Sequence, residues 1–224
     1  FFQPVLQQGA RDALADVLRD TAGLPLLFVL GLPLTHGGKL YNCAAVCQNG
    51  RVLGVVPKTH LPNYNEFYEK RQFTPAPAEN GVIDLSGAQV PFGTNLLFQC
   101  GTQPALTLAV EICEDLWAPL PPSTRHAMAG ATLICNLSAS DETIGKAEYR
   151  RALVTGQSAR LLCGYVYADA GEGESTTDMV FAGHNMVAEN GALLAETAPF
   201  CGGMALTDID VERLAGERLK NTSF

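Results

Sequence analysis

Short apolar runs, each bounded by turn residues, recur along the chain and alternate with segments of helical periodicity. VLGVVP (52–57) and TLICNLS (132–138) have the length of strands, whereas 4–20 and 145–162 have the length and pattern of helices. Apolar strands mixed with helices indicate an α/β fold whose sheets are covered on their faces. Neither a Pro/Gly/Ser linker nor an internal repeat interrupts the pattern, so the sequence predicts a single domain over 1–224.

The pattern gives an expected position for each element. Asn49–Gly50 is a hairpin signal between two of the strands, and 58–80 is a long polar and aromatic connection of the kind that more often has a function. The expected helices are 4–20, 121–131, 145–162 and 211–219. The expected strands are 24–34, 40–48, 51–56, 81–85, 94–99, 105–111, 133–137, 164–169, 179–187, 193–196 and 204–208.

Composition excludes several classes of protein. With 15 Lys and Arg against 23 Asp and Glu, the formal charge is −8, and the absence of a basic stripe argues against nucleic-acid and anionic-membrane partners. The longest apolar stretch, 24–34, is too short and too interrupted by Pro and Gly to span a bilayer. Seven cysteines without a C-x-x-C pair predict reduced thiols in a cytoplasmic protein, and the four histidines lack the spacing of metal ligands.

Two residues are candidates for chemistry. Cys113 lies where an apolar run meets a turn, which is where a sheet can expose a nucleophile; the alternative is one more buried cysteine. Lys58 follows an apolar run and opens the long loop; the alternative is a surface lysine. GEGEST (171–176) is rejected as a phosphate-binding loop because its last required Gly is replaced and its acids would repel phosphate.

Four segments together resemble the carbon–nitrogen hydrolase (nitrilase) superfamily, and within it the glutaminase domain of glutamine-dependent NAD(+) synthetases. These segments are 50–75, 110–123, 136–151 and 165–196, and Lys58 precedes Cys113 by 113 − 58 = 55 residues. The resemblance implies a four-layer α-β-β-α sandwich. The glutamate motif of the family's catalytic triad is absent, so we expect that glutamate upstream of Phe1 and an N-terminally incomplete domain that lacks its first strand or strands.

The resemblance also implies roles for individual residues. Cys113 would be the nucleophile, Lys58 the lysine of the triad and Glu69 an auxiliary acid; a solvated loop acid paired with Lys70 or Arg71 is the alternative for Glu69. The implied glutamine-binding residues are Tyr64, Glu114, Trp117 (through its carbonyl), Ser140 and Lys146. Their ordinary alternatives are a packed loop aromatic for Tyr64, a cap for Ser140 and a surface charge for Lys146.

The implied reaction is hydrolysis of the side-chain amide of glutamine through a cysteine thioester. The ammonia would serve NAD(+) synthesis in a C-terminal synthetase domain that this sequence does not contain. The glutaminase step would need no cofactor or metal, whereas ATP and Mg²⁺ would belong to the synthetase domain. A cytoplasmic homo-oligomer is expected. The alternatives are a stand-alone amidase for another small amide and a catalytically silent scaffold domain.

Overall fold

A computed structural model describes residues 1–174 and 179–224. The chain divides into two compact units, Phe1–Leu96 and Leu97–Phe224. A mixed β-sheet forms the centre of each unit, with one α-helix packed on it in the first unit and several in the second. The expected α/β fold class is therefore confirmed, while the single domain over 1–224 stays a prediction.

The first unit contains a five-stranded sheet and the helix α1 (Pro4–Asp20). Pro4 starts α1, where its missing N–H is not needed and its fixed φ suits a helix. The buried Leu14 of α1 joins a core formed by inward side chains of the sheet, among them Leu34 and Phe92. In order across the sheet, the strands are β1 (Leu27–His36), β2 (Lys39–Gln48), β3 (Arg51–Pro57), β5 (Ala88–Phe92) and β4 (Gly81–Leu85).

The hairpin between β2 and β3 turns at Asn49 and Gly50, as the sequence predicts. Both residues have positive φ, 49° and 73°, which is the conformation that a two-residue hairpin turn needs. A Cβ on Gly50 would lie 3.2 Å from Ala22 Cβ, so glycine also lets the turn approach the end of α1.

The long connection after β3 is fixed to the sheet at several points. The Lys58 amide donates to Asn42 O (2.8 Å), and the Thr74 amide donates to Leu40 O (2.8 Å). The amide of Ala76 donates to Lys58 O (2.9 Å). A 3₁₀ turn, Glu69–Arg71, lies between these anchors. This segment is therefore an ordered part of the unit.

The second unit contains a six-stranded sheet whose central strands are parallel. Strand β7 (Thr107–Ile112) pairs with β8 (Leu133–Ser138), and β8 pairs with β9 (Gly164–Asp169), both in parallel. The carboxyl ends of these three strands therefore meet at one edge of the sheet. The outer strands are β6 (Phe98–Gln99), next to β7, and β10 (Met186–Glu189) and β11 (Ala192–Glu196), next to β9.

The described residues of the second unit contain four helices: α2 (Glu114–Trp117), α3 (Pro122–Met128), α4 (Lys146–Leu161) and α5 (Val211–Lys220). Side chains of α2, α3 and α4 share a buried core with the sheet residues Ala109, Ile134, Tyr165 and Met186. Arg218 of α5 donates to three carbonyl oxygens at the ends of neighbouring segments. Its acceptors are Ala131 O (2.6 Å), Leu161 O (2.8 Å) and Leu162 O (3.0 Å).

Most expected elements are present, but several predictions were wrong. Strand β5 was not predicted, because Gly87 and Pro91 resemble a turn; Pro91 is tolerated because β5 meets β3 only at Val55 and Phe92. The strand expected at 94–99 is limited to β6, and the one expected at 179–187 is limited to its last residues in β10.

The expected strand 204–208 is irregular. Met204 and Leu206 in this segment are exposed. An alternating pattern of apolar and polar residues forms a strand only where the segment can pair with the edge of a sheet. The turn expected after Cys113 is instead the short helix α2. The last two residues of GEGEST lie outside the described residues.

Replacing Arg218 tests how α5 is held. Arg218→Ala would leave three partly buried carbonyl groups without their charged donor, so we expect the free energy of unfolding to fall by about 2–3 kcal/mol. Arg213→Ala on the same helix is the control, since Arg213 is largely exposed and meets Glu189 at 3.5 Å. Denaturant titration of both variants measures the difference. Equal losses would contradict this account of α5.

Candidate active site

Cys113 occupies a sharp turn between β7 and α2. Its backbone has φ 47° and ψ −102°, a conformation that residues other than glycine rarely adopt. Such a conformation costs on the order of 1–3 kcal/mol and persists only where the surrounding structure enforces it. The turn places the Cys113 side chain at the carboxyl edge of the parallel strands, and the residue is partly exposed there.

Three hydrogen bonds close this turn. The Ile112 amide donates to Asp115 Oδ2 (2.9 Å), and the Leu116 amide donates to Cys113 O (3.0 Å). The Cys113 amide donates to Asn136 Oδ1 (3.0 Å) on the neighbouring strand β8. Asp115, unassigned by sequence, is thus a buried acceptor of the turn that presents the thiol.

A row of polar side chains continues behind Cys113 across the sheet. Asn136 Nδ2 donates to Tyr165 Oη (3.1 Å), and that hydroxyl donates to Glu111 Oε1 in a short hydrogen bond. The Ser123 amide donates to Glu111 Oε2 (2.8 Å). Desolvation raises the pKa of Glu111 to about 7, with a further contribution from the nearby Asp115. Glu111 is thus a buried carboxylate with a defined set of donors.

Three of the residues predicted to bind glutamine lie close to charged partners in the second unit. The Lys146 ammonium pairs with Asp141 and lies 5.4 Å from the centre of the Trp117 ring. Ser140 is buried, and its hydroxyl accepts a hydrogen bond from Arg150 Nη2 (3.3 Å). The arrangement holds a positive charge and a hydroxyl near the start of α4.

Arg150 is a residue that the sequence reasoning missed. Its guanidinium is fully buried, contacts His184 Nδ1 (2.9 Å) and donates to Glu142 Oε2 (2.9 Å). Asp169 lies 4.0 Å away and accepts from the Ser140 amide (2.9 Å). Desolvation raises the pKa of Asp169 to about 6. The only sequence signal was a pair of arginines in a helix, which is common on helix surfaces.

Lys58 and Glu69 form a pair in the first unit. Lys58 Nζ lies 2.5 Å from Glu69 Oε2, and Asn42 Nδ2 donates to Glu69 Oε1 (2.7 Å). Lys58 is 3% exposed, so it is no surface lysine, and Glu69 is bonded to it instead of being a solvated acid. Half of Tyr64 is exposed, and its ring lies 6.0 Å from that of Phe67.

The predicted residues therefore fall into two groups. Lys58, Glu69 and Tyr64 belong to the first unit, and Cys113, Glu114, Trp117, Ser140 and Lys146 belong to the second. Glu114 is the first residue of α2, directly after Cys113. The catalytic and binding roles of these residues stay predictions, as does the triad glutamate expected upstream of Phe1.

The thiols differ in environment. All seven cysteines are in the described part of the chain, and none of them is in a disulfide there. Desolvation raises the pKa of Cys163 and of Cys135 to about 12 and that of Cys47 to about 11, which suppresses their thiolates. Among the described residues, no cluster of side chains suits a metal ion, and no helix is long and apolar enough to cross a membrane.

Comparison with known proteins adds independent information. No family model matches the chain. The chain is 50% identical over 224 residues to a glutamine-dependent NAD(+) synthetase of Mycobacterium bovis, a match that covers 99% of this chain and 33% of that protein. It also matches the crystal structure of a glutamine-dependent NAD(+) synthetase from Cytophaga hutchinsonii, with 30% identity and a TM-score of 0.77, over 88% of this chain and 31% of that one.

A carbon–nitrogen hydrolase from Helicobacter pylori shares the fold, with a TM-score of 0.74 at 19% identity, over 96% of this chain and 73% of that one. The chain has the nitrilase-superfamily fold. It is homologous to the N-terminal portion of glutamine-dependent NAD(+) synthetases. It spans about one third of the length of these curated relatives, so the activity of the longer enzyme is a proposal for this chain.

The Lys58–Glu69 pair allows a direct test of its burial. In Glu69→Gln the buried Lys58 ammonium loses the charge of the Glu69 carboxylate, so we expect the free energy of unfolding to fall by about 2–3 kcal/mol. Lys70→Gln, one residue further along and exposed, is the control and should change stability by less than about 0.5 kcal/mol. Denaturant titration measures both, and similar small effects would show that the pair contributes little.

Glu111 should make stability depend on pH in an unusual direction. Its pKa rises from 4.5 to about 7 on folding, so between these values the folded state holds a proton that the unfolded state has released. The free energy of unfolding should therefore fall as pH rises from about 4.5 to 7. In Glu111→Gln this part of the pH dependence should disappear, whereas the exposed Glu212→Gln should keep it. Unfolding titrations at several pH values measure the slope.

Proposed function

We propose that the chain is a glutaminase part of a larger enzyme and hydrolyses the side-chain amide of glutamine with Cys113 as nucleophile. The observation that carries this proposal is the geometry of Cys113. A partly exposed thiol at positive φ, at the carboxyl edge of parallel strands, is an arrangement that core packing alone does not require. Homology to glutamine-dependent NAD(+) synthetases supports glutamine as the amide.

The proposed reaction has two halves. Cys113 Sγ attacks the amide carbon after its proton has gone to a base, the C–N bond breaks, and ammonia leaves with that proton. Water then adds to the thioester, the C–S bond breaks, and glutamate and the free thiol are released. The base is the glutamate that we place outside this chain. Lys58 supplies the cation of this chemistry, with Glu69 as the auxiliary acid. A main-chain N–H next to Cys113 is proposed as an oxyanion donor, a type of contact worth about 3 kcal/mol.

Recognition of a free amino acid needs opposite charges at its two ends. Glu114 and the carbonyl of Trp117 are proposed to bind the α-ammonium group. Ser140, Lys146 and Tyr64 are proposed to bind the rest of the substrate, including its carboxylate. The placement of Lys146 between Asp141 and the Trp117 ring supports this assignment, because it holds the ammonium at a defined position.

The ammonia is proposed to serve NAD(+) synthesis by a synthetase domain of the same longer protein. The threefold greater length of the relatives supports a fused partner of this kind. ATP and Mg²⁺ would act in that domain, and the glutaminase step is proposed to need no cofactor. The seven unpaired cysteines support a reducing, cytoplasmic location. The family resemblance supports a homo-oligomer, which light scattering of the full-length protein would measure.

Replacing Cys113 is the decisive experiment. In the full-length protein, Cys113→Ala should lower the rate of glutamine hydrolysis by at least about 10³-fold, because the nucleophile is lost. NAD(+) synthesis with ammonia should continue, since that step does not use the thiol. The exposed cysteine variant Cys201→Ala is the control and should retain both activities. Ammonia release and NAD(+) formation are the two measurements.

A labelling experiment separates the alternatives. A diazoketone analogue of glutamine should modify Cys113 and leave Cys43 and Cys135 unmodified, as identified by peptide mass spectrometry. Labelling of Cys43 or Cys135 instead would overturn the assignment. Faster turnover of another small amide than of glutamine would identify a stand-alone amidase. Absence of both labelling and turnover in the full-length protein would identify a silent scaffold domain.

A further inference from the structure

Three buried polar side chains connect the turn of Cys113 to the interior of the second unit. Glu111, Asn136 and Tyr165 lie on the adjacent strands β7, β8 and β9, and each is 1% exposed or less. Glu111 and Asn136 are paired neighbours across the two strands. We call these three residues the Glu111 chain.

The hydrogen bonds of the Glu111 chain run in one direction. Asn136 Oδ1 must accept from the Cys113 amide, so its amide nitrogen faces Tyr165 Oη. The Tyr165 proton then goes to Glu111 Oε1, while Glu111 Oε2 accepts from the Ser123 amide. If the Asn136 amide were flipped, two donors would face each other at Cys113. Because Tyr165 gives its one proton to Glu111, its oxygen can only accept from Asn136, so Glu111 supports the same orientation of Asn136 from the other end.

This arrangement is costly as a packing solution. The same face of the sheet is otherwise lined by apolar residues such as Ala109, Ile134 and Met186. Burying a carboxylate, a phenol and an amide there offers no stability advantage over an apolar core. The Glu111 chain ends at the strained turn that contains Cys113. We propose that Glu111, Tyr165 and Asn136 are positioning residues that hold the Cys113 main chain, and with it the direction of its thiol, for attack on the amide.

This inference rests on the proposed function, and it assigns a task to Glu111, which the family resemblance left without one. In the full-length protein, Tyr165→Phe removes the hydroxyl that accepts from Asn136 Nδ2, so that only the Cys113 amide still orients the Asn136 side chain. We expect kcat for glutamine to fall about tenfold, because small misplacements of a nucleophile are costly, with KM changed less than about twofold. The alkylation of Cys113 by iodoacetamide should slow by a similar factor.

Ser158→Ala is the matched control. It also removes one buried hydroxyl in the same unit, which donates to Cys163 O (2.7 Å) directly before β9, at the amino edge of the parallel strands and not at the carboxyl edge where Cys113 lies. It should lower the unfolding midpoint without changing kcat or the alkylation rate. If Tyr165→Phe changes kcat and the alkylation rate of Cys113 no more than Ser158→Ala does, the Glu111 chain has only a structural role and the proposal is wrong.

Coupling between the links gives a second test. Glu111→Gln and Tyr165→Phe break successive links of one chain, so the double variant should lose no more kcat than the more damaged single variant. Losses that multiply would show independent action and overturn the proposal. If Glu111→Gln does not fold, Asn136→Ala takes its place in the cycle.

Iodoacetamide needs no substrate, which keeps this test separate from the proposed function. If the full-length protein does not hydrolyse glutamine, the proposed function fails. Slower alkylation of Cys113 in Tyr165→Phe, with an unchanged rate in Ser158→Ala, would still support the positioning role. Unchanged alkylation in both variants would overturn it, whatever the activity of the protein.

Discussion

The parallel pairing of β7, β8 and β9 determines where polar chemistry can be placed in the second unit. Parallel strands end at the same edge, so the residue that follows β7 and the last side chains of β8 and β9 become neighbours there. Beyond Ile112 the main chain leaves the ladder, and the next amide needs a new acceptor. Asn136 supplies it from the adjacent strand. The positive φ of Cys113 and the hydrogen bond that joins it to the Glu111 chain both lie at this departure.

Glu111 and Asp115, each two residues from Cys113, would disfavour a thiolate if their charges faced it, since negative charge raises a thiol pKa. The structure separates their tasks. Asp115 accepts the Ile112 amide and closes the turn, and Glu111 points into the core toward Tyr165 and Ser123. Burial keeps the pKa of Glu111 near 7, so its charge near neutral pH is smaller than the sequence implies.

Sequence alone predicted the elements whose signals are local. The Asn49–Gly50 turn, the Pro4 helix start and the apolar run before Cys113 each depend on a few neighbouring residues. The Glu111 chain depends on the register of three strands, because Asn136 and Tyr165 meet only once that register is set. No local pattern carries this information.

The Lys58–Glu69 contact could not be predicted from local sequence for a similar reason. The two residues are separated by a loop, and only its anchoring at Asn42 and Leu40 returns Glu69 to the lysine. The resemblance named Glu69 as an auxiliary acid, but the residues themselves left a solvated acid as an equal alternative. Strand β5 was missed for a different reason. Proline has no N–H, but this excludes a strand only where the sheet needs a donor at that position, and Pro91 is not at such a position.

Arg150 shows how a second buried charge can serve the same edge of the sheet. It donates to the Ser140 hydroxyl and to Asp141 O, and Asp169 at the end of β9 accepts the Ser140 amide. Although burial opposes its charge, Tyr167, Glu142 and Asp169 keep the pKa of Arg150 above its ordinary value. A buried guanidinium with several acceptors fixes the segment after β8 in one geometry. In both networks a buried charge therefore orders a segment at a strand end, first the turn of Cys113 and then the segment that carries Ser140.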